Sequence, residues 1–181
     1  MSSAHLVTAE DLERRPEDDY RYELVEGRVI QMSPVGCQHG AVVAQLMFLL
    51  LRHLRESKQG AVFTEVGFKL ASKPDTVRAP DVSFVRKDRI PSPAPRGYFQ
   101  GPPDIAFEVL SPDDRPADVR TKVDEYLSRG VKLVVVVDPD NKSVTCRRPG
   151  AAPVTSRTPE DVLDFGDLIP GFSCRLQDLF E

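Results

Sequence analysis

The sequence contains few cysteines and no apolar run long enough to cross a membrane. Cys37, Cys146 and Cys174 are odd in number and widely separated, which argues against a disulfide framework and against a cysteine zinc site. Because this usage suits a reducing compartment, we expect a cytoplasmic protein. The longest apolar candidate, residues 41–54, is interrupted by polar residues, whereas a membrane span needs about 18 or more apolar residues. No membrane partner is therefore expected.

A secretory signal and a strong basic charge are also missing. The first ten residues lack the basic and then apolar pattern of a secretory signal. The formal net charge is −4, with no long basic block, so charge alone does not indicate nucleic acid as a partner; such a role requires a local basic patch. A chain of 181 residues suits one sizeable core, and we expect a single domain.

The pattern of apolar residues predicts a mixed α/β sheet with helices packed on its faces. The segment 104–137 has the length of a right-handed βαβ unit, which predicts two parallel strands around a helix. The predicted helices cover about 8–15, 38–58, 116–129 and 176–180. The predicted strands cover 22–25, 28–32, 61–70, 81–86, 104–110, 131–137 and 143–147, with 22–32 forming a hairpin.

One carboxylate interrupts an apolar strand. Glu108 lies between Phe107 and Val109 in the run 104–110. An isolated ionised carboxylate in an apolar sheet costs so much desolvation that it either stays protonated or meets a cation. Two partners are available: Lys122 on the following helix, or a divalent metal ion shared with Asp81 at the start of another apolar run.

Asp81, Glu108 and Lys122 together suggest phosphodiester chemistry. Two carboxylates a few ångströms apart favour a cation between them, and hard oxygen ligands select magnesium, manganese or calcium. Lys122 falls beside the apolar stripe of its helix, so its stem can lie along the core while its ammonium reaches the sheet edge. Such a lysine would orient or deprotonate an attacking water and stabilise developing charge, while the metal polarises the phosphate.

Each of these residues also has a purely structural interpretation. Asp81 follows Pro80, so a structural role as a strand-start or turn residue fits it as well as a functional role does. Glu108 and Lys122 are compatible with a structural ion pair. The side to which Glu23 points depends on a register that the sequence does not fix.

Three further residues carry weaker signals. His39, near the start of the long helix, either contacts phosphate or, as is more common at a helix end, lies on the surface. Arg78 is either a phosphate contact or an ordinary loop arginine. Tyr126 is predicted to belong to the core.

Several segments share a common order and spacing with a known family. They are YELVEG at 22–27, MSP at 32–34, His39, RAPDVSFV at 78–85, GPPDIAFEVLSP at 101–112, Lys122, Tyr126, GV at 130–131 and VDP at 137–139. Together they resemble the Uma family of restriction-endonuclease-like proteins, within the PD-(D/E)-x-K nuclease superfamily. No single segment is very specific for the family, but their order and spacing together are specific. The resemblance covers nearly the whole chain.

This resemblance implies a restriction-endonuclease-like α/β fold over residues 1–181, with an N-terminal helix and hairpin at about 8–32, a nuclease-like core at about 36–148 and a tail at 149–181. It also implies a nuclease site that uses Mg²⁺ or Mn²⁺. Asp81 and Glu108 would be metal ligands, Lys122 the catalytic lysine and Glu23 an additional acidic residue. His39 and Arg78 are the candidate substrate contacts, on their own residue chemistry. By analogy, the partners would be DNA and a second copy of the chain.

The chain departs from the superfamily pattern at one position. The superfamily places a lysine two residues after the second carboxylate, and here that residue is Leu110; Lys122 is the expected replacement. The absent lysine and the acidic net charge leave open a second class of function. This is a catalytically decayed nucleic-acid-binding or mobile-element-associated module. A third hypothesis is a structural α/β protein with a buried ion pair.

Overall fold

The computed structural model describes residues 6–15 and 20–181. The helices in this part of the chain are α1 (Ala9–Glu13), α2 (Cys37–Ser57) and α3 (Pro116–Ser128). The strands are β1 (Arg21–Val25), β2 (Arg28–Met32), β3 (Gly60–Thr64), β4 (Phe68–Ala71), β5 (Thr76–Arg78), β6 (Val82–Arg86), β7 (Phe99–Gln100), β8 (Ile105–Val109), β9 (Leu133–Asp138), β10 (Ser143–Arg147), β11 (Val154–Ser156), β12 (Val162–Asp164) and β13 (Ser173–Arg175). Short 3-10 helices cover Lys87–Arg89, Gly166–Leu168 and Leu176–Leu179.

The strands form two larger sheets and one small hairpin. The main sheet has the order β11-β10-β9-β8-β6-β3, and the second sheet has the order β2-β1-β5-β4-β7. In the main sheet only β8 and β9 run parallel, joined through α3. The predicted mixed α/β fold and the parallel βαβ unit are therefore confirmed. The expectation of one sheet was too simple, because the N-terminal hairpin pairs with β5 instead of joining the main sheet.

Helices cover both faces of the centre of the main sheet. Successive side chains of a strand point to opposite faces, and in β9 the residues Leu133, Val135 and Val137 pack with α2 in one core cluster. Val134 packs with Val123 and Tyr126 of α3 in another. Glu108 alternates with Phe107 and Val109 in β8, which both face α2, so its carboxylate points toward α3.

The predicted strand 61–70 is wrong, because the chain changes sheets inside it. Glu65 adopts a positive φ of 57°, and the backbone turns there so that β3 pairs with β6 in the main sheet while β4 pairs with β5 in the second. Gly67 follows, and a Cβ on it would lie 2.3 Å from the Tyr98 ring. Alternating apolar residues continue across this break, so periodicity alone does not reveal it.

The end of α2 also differs in detail from the prediction. Its C-cap is Lys58, which adopts the left-handed conformation, whereas Gly60 was the expected stop. Gly60 instead opens β3, where a Cβ would lie 2.3 Å from the Val85 carbonyl oxygen and 2.5 Å from the Phe84 ring. The glycine is required by close packing of β3 on β6.

The C-terminal tail completes the core beneath α2. Its buried aromatic rings stack, with the Phe165 and Phe172 centroids 5.0 Å apart, and Leu163, Leu168 and Ile169 belong to the same cluster as Leu50 of α2. The predicted closing helix is present as the 3-10 helix Leu176–Leu179. The three cysteines are free, with Cys37 exposed and Cys174 buried. Among the described helices, none is both long and apolar enough for a transmembrane span.

A short connection joins the two sheets. The chain leaves β5 of the second sheet at Arg78, passes Ala79, Pro80 and Asp81, and enters β6 of the main sheet at Val82. Because β1 pairs with β5 through Leu24 and Val77, this connection brings the second sheet close to β6 and β8. The polar residues described next lie at this junction.

Candidate functional site

The candidate site lies at the junction of the two sheets, beneath α3. The structure brings together the four residues that the sequence nominates as catalytic, namely Asp81, Glu108, Lys122 and Glu23. They come from the sheet connection, β8, α3 and β1, respectively. Ion pairs and hydrogen bonds join Glu23, Glu108 and Lys122 with Arg78, Tyr126 and Glu125 in one network. Asp81 contacts His39 and the Val109 backbone instead, and its charge is close enough to add to the effect of burial on the Glu108 pKa.

The Glu108 carboxylate is held by two residues of α3. Lys122 Nζ donates to Oε2 at 2.9 Å, and the Tyr126 hydroxyl donates to Oε1 at 2.7 Å. The two donors are four residues apart, so they lie on the same side of the helix. Burial raises the pKa of Glu108 to about 7, and the nearby Asp81 and Glu23 carboxylates add to this rise although Lys122 opposes it. The site therefore holds more negative charge than Lys122 neutralises.

Lys122 forms ion pairs with two carboxylates at once. Its ammonium also lies 3.4 Å from Glu23 Oε1, and its side chain is 20% exposed. Burial alone would lower the pKa of Lys122, but Glu108 and Glu23 outweigh it and raise the pKa. The lysine is thus held as a cation.

Glu23 points into the protein. The residue is 2% exposed. The side of β1 to which Glu23 points, which the sequence left open, is therefore the buried side. Oε1 accepts a hydrogen bond from the Ala79 backbone N–H at 3.0 Å and Oε2 accepts one from Arg78 Nη1 at 2.7 Å. Burial would raise the pKa of Glu23, but Lys122 and Arg78 overcome this effect and lower it. Glu23 is therefore an ionised carboxylate that anchors Lys122 from the second sheet.

Arg78 bridges the second sheet and α3. It lies in β5 and is 8% exposed, so the interpretation as an ordinary loop arginine is wrong. Its Nη1 donates to Glu23 and its Nε donates to Glu125 Oε2 at 2.6 Å. Sequence reasoning missed Glu125, although its position three residues after Lys122 places it on nearly the same helix face. Both Arg78 contacts are charge-assisted and inside the protein, which suits a residue that positions other side chains.

Asp81 joins the start of β6 to β8 and α2. Its Oδ2 accepts a hydrogen bond from the Val109 backbone N–H at 2.7 Å and lies 3.2 Å from His39 Nε2. The backbone contact corresponds to the strand-start interpretation, and it also holds Asp81 next to the residue that follows Glu108. The carboxylate is thereby fixed beside the Glu108 side chain.

His39 is buried, so the interpretation as a surface histidine is wrong. The residue is 7% exposed and lies in the first turn of α2, where its Nε2 contacts Asp81 just before β6. The hydrogen bond to Asp81 raises the pKa of His39 although burial opposes the rise. Its Nδ1 is buried and has no hydrogen-bond partner among the described residues. His39 therefore holds Asp81 through its Nε2 atom.

The donor chemistry of this network fits a hard divalent cation. Glu23, Asp81, Glu108 and Glu125 supply four carboxylates against the permanent cations Lys122 and Arg78. Over residues 6–15 and 20–181, no three His, Cys, Asp or Glu side chains are arranged as a metal cluster. Magnesium, however, commonly takes one or two carboxylates and completes its shell with water and substrate phosphate. Asp81 and Glu108 are the two carboxylates that would supply such a ligand set. Burial raises the Glu108 pKa, and the nearby Asp81 charge adds to that rise.

Comparisons with known proteins agree with the fold and with the sequence resemblance. The model of the Uma2 family, described as "Putative restriction endonuclease", matches residues 9–177. Among solved structures, the chain is similar to "a putative nuclease belonging to DUF820" from Anabaena variabilis ATCC 29413. The two are 22% identical with a TM-score of 0.85, over 96% of this chain and 97% of the other. No curated protein gave a significant match. The expected restriction-endonuclease-like fold is thus confirmed, and the chain belongs to the Uma2 family.

Proposed function

We propose that this protein is a metal-dependent endonuclease that hydrolyses phosphodiester bonds in DNA. Family membership and the description of the structural neighbour support a nuclease. The observation that carries the proposal is the Glu108 carboxylate, which is buried beside Asp81 and bound by Lys122 at 2.9 Å. A purely structural ion pair would need only Glu108 and Lys122, whereas here the charges of Asp81 and Glu23 both add to the rise that burial causes in the Glu108 pKa.

Asp81 and Glu108 are the proposed ligands of Mg²⁺ or Mn²⁺. The bound ion would supply Lewis-acid polarisation of a phosphate oxygen and a more acidic water. Cation binding would also relieve the repulsion between the two carboxylates. The Glu108 pKa should then fall from about 7, because a nearby positive charge favours the ionised carboxylate.

Lys122 is the proposed catalytic lysine. Because Glu108 and Glu23 raise its pKa, it acts as an ammonium ion that orients the attacking water by hydrogen bonding and stabilises charge on the phosphate in the transition state. This electrostatic role is favoured over proton abstraction, since a base must first be deprotonated. Glu23, itself held by Arg78, fixes the ammonium from its far side.

His39 and Arg78 are proposed to position the catalytic residues. The sequence suggested contacts with substrate, but the described polar contacts of both side chains go to carboxylates of the candidate site. His39 fixes Asp81, and Arg78 fixes Glu23 together with Glu125. Correct placement of reacting groups accounts for large rate factors, so replacement of either residue should lower activity without a direct substrate contact.

The proposal is tested with supercoiled plasmid DNA in the presence of Mg²⁺ or Mn²⁺. Wild-type protein should convert the plasmid to nicked or linear forms, and Asp81→Asn, which keeps the side-chain shape, should not. Asp88→Asn is the matched control, because Asp88 is exposed and lies in the 3-10 helix at the far end of β6. Equal cleavage by wild type and Asp81→Asn would contradict the proposal.

A catalytically decayed nucleic-acid-binding module is the alternative. It is favoured by Leu110 at the usual lysine position and by the full occupation of both Glu108 oxygens by Lys122 and Tyr126. Calorimetry distinguishes the two functions. An endonuclease site should bind Mg²⁺ or Mn²⁺ with an affinity that Asp81→Asn lowers, whereas a decayed module should bind DNA without binding either ion.

We also propose a homodimer in the cytoplasm as the working form. Nucleases that cut both strands of a duplex generally need two sites, which a symmetric pair of chains supplies. Sedimentation equilibrium of the purified chain would give twice the monomer mass of 20.2 kDa. A single monomeric species at micromolar concentration, with and without DNA, would contradict the dimer.

A further inference from the structure

A polar groove lies on the main sheet next to the candidate site. It has a volume of about 510 Å³ and opens on the face of β9, β10 and β11 that also carries Glu108. The residues that matter for its chemistry are Val136, Asp138, Ser143, Thr145, Thr155 and Arg157. None of them belongs to the network around Glu108.

The strand register connects this groove directly to Glu108. Glu108 pairs with Val136, Val136 pairs with Thr145, and Thr145 pairs with Thr155. Laterally paired residues of a sheet point to the same face, so these four side chains form one row across the sheet. The groove therefore begins one strand away from the proposed catalytic carboxylate and extends to the edge of the sheet.

The lining of the groove suits the sugar-phosphate backbone of a nucleic acid. Thr145 and Thr155 hydroxyls hydrogen bond to each other at 3.0 Å, and each hydroxyl can both donate and accept. Arg157 lies at the outer end, and its guanidinium forms no hydrogen bond or ion pair with another described residue. Hydroxyls and arginine are typical phosphate and sugar contacts of nucleic-acid-binding proteins. A free arginine at the rim is well placed for a phosphate.

Other features of the groove indicate which parts of a nucleic acid it would contact and where the phosphate would lie. The lining contains no aromatic residue on which a base could stack, so affinity should come from sugar and phosphate contacts, which carry no direct information on base identity. Asp138 accepts two hydrogen bonds from Asn141 at the end of β9, and its charge would repel a phosphate placed there. The phosphate should therefore lie toward Arg157, with the sugar over Thr145 and Thr155.

We propose that this groove binds the nucleotides of one DNA strand on one side of the scissile phosphate. The inference rests on the proposed endonuclease function and adds the path of the substrate across β9, β10 and β11. Strands lie about 4.8 Å apart, so the groove spans roughly 10 Å from β9 to β11, which suits one strand and not a whole duplex. Substrate strands would separate, or one would be displaced, over this part of the sheet.

Binding is measured by fluorescence anisotropy of a short labelled oligothymidylate, without divalent ions so that no cleavage occurs. Arg157→Ala should weaken binding and lower the slope of log affinity against log salt by about 0.7, the value for one lost phosphate contact on a single strand. The double variant Thr145→Val, Thr155→Val should weaken binding about fivefold while keeping the salt slope, because it removes hydroxyls and no charge.

Arg55→Ala is the matched control. Arg55 is an exposed arginine in the last turn of α2, at the end of the helix opposite His39, so its loss should change neither affinity nor slope. Circular dichroism melting of each variant checks the fold. For the threonine pair, Thr145→Ser, Thr155→Ser keeps the hydroxyls and should restore binding. A failure of the serine pair to bind better than the valine pair would count against the groove.

The outcomes separate this inference from the proposed function. If the wild type cleaves plasmid but both groove variants bind the oligonucleotide as the wild type does, the groove proposal is wrong. The endonuclease proposal is then still supported. Absence of cleavage together with groove-dependent binding supports the groove and removes the endonuclease. Wild-type protein that fails to bind the oligothymidylate overturns the groove. If both ideas hold, Arg157→Ala should raise the KM for plasmid with little change in kcat.

Discussion

Lys122 and Tyr126 lie one helical turn apart on α3 and divide the two carboxylate oxygens of Glu108 between them. One donor is charged and the other is neutral, so they have different effects on the Glu108 carboxylate. Lys122 supplies the positive charge that makes ionisation of Glu108 possible, and Tyr126 fixes the orientation of the carboxylate. The following predictions separate these contributions.

Tyr126→Phe tests the neutral donor. The change keeps the buried ring but removes the hydroxyl that donates to Glu108, and an unsatisfied buried acceptor costs about 1–3 kcal/mol. The free energy of unfolding in urea should fall by that amount. Tyr98→Phe is the control, since the half-buried Tyr98 hydroxyl makes no hydrogen bond to another described residue; its effect should stay within about 0.5 kcal/mol. Equal effects of the two substitutions would argue against a role for the Tyr126 hydroxyl.

Lys122→Met tests the charged donor in catalysis. The substitution keeps most of the buried stem but removes the ammonium from Glu108 and Glu23. Loss of one preorganised electrostatic group costs about 10²–10³ in kcat, which plasmid cleavage under saturating Mg²⁺ would measure. Lys87→Met, in the 3-10 helix after β6, should cleave like wild type. Undiminished cleavage by Lys122→Met would remove this lysine from the mechanism.

The Glu108 pKa predicts how stability depends on pH in the metal-free protein. Its folded-state pKa of about 7 lies above the ordinary value of 4.5, so the folded state binds the proton more tightly than the unfolded state. The resulting stabilisation is fully present below about pH 4.5 and is lost as the pH rises to about 7. It amounts to about 3 kcal/mol at most.

The measurement compares wild type with Glu108→Gln in EDTA between pH 4.5 and 7.5. Glutamine cannot titrate, so the difference in unfolding free energy between the two proteins should shift in favour of Glu108→Gln as the pH rises. Saturating Mg²⁺ should reduce this shift, because the bound cation would favour ionised Glu108. A difference that is constant with pH in EDTA would mean that Glu108 has an ordinary pKa.

Arg78 and Glu125 predict a strong energetic coupling. Arg78→Met leaves Glu23 and Glu125 without their shared cation, and loss of one partner from a buried ion pair costs about 3–5 kcal/mol. Arg78→Met combined with Glu125→Gln should cost less than the sum of the two single changes, because the second change removes one stranded charge. Urea unfolding of the wild type, the two single variants and the double variant gives the coupling free energy between Arg78 and Glu125. Additive effects would show that the contact contributes nothing to stability.

The sequence predicts those parts of the site that depend on local pattern. Glu108 stands out because it interrupts an apolar strand, and Lys122 because helical spacing places it beside an apolar stripe. The parallel β8 and β9 follow from the length of the connection between them. These features need only nearby residues and standard geometry.

The remaining features depend on contacts between distant segments. The burial of Glu23 follows from the pairing of β1 with β5, and the burial of His39 follows from how α2 lies over the sheet. The partnership of Arg78 with Glu125 joins residues 47 positions apart. The short strands β5, β7 and β11–β13 have two or three residues each, too few to show a period. No pattern along the sequence encodes such pairings.

The packing of the tail beneath α2 sets a limit on how this protein can be shortened. A gene fragment that stops after Arg148 would still encode every proposed catalytic residue. Its product would nevertheless expose Leu46, Leu50 and Leu54, which the native chain covers in the same cluster as Phe165, Ile169 and Phe172. Such a fragment should aggregate on expression, so a fusion that borrows this nuclease unit must carry the chain through Phe180.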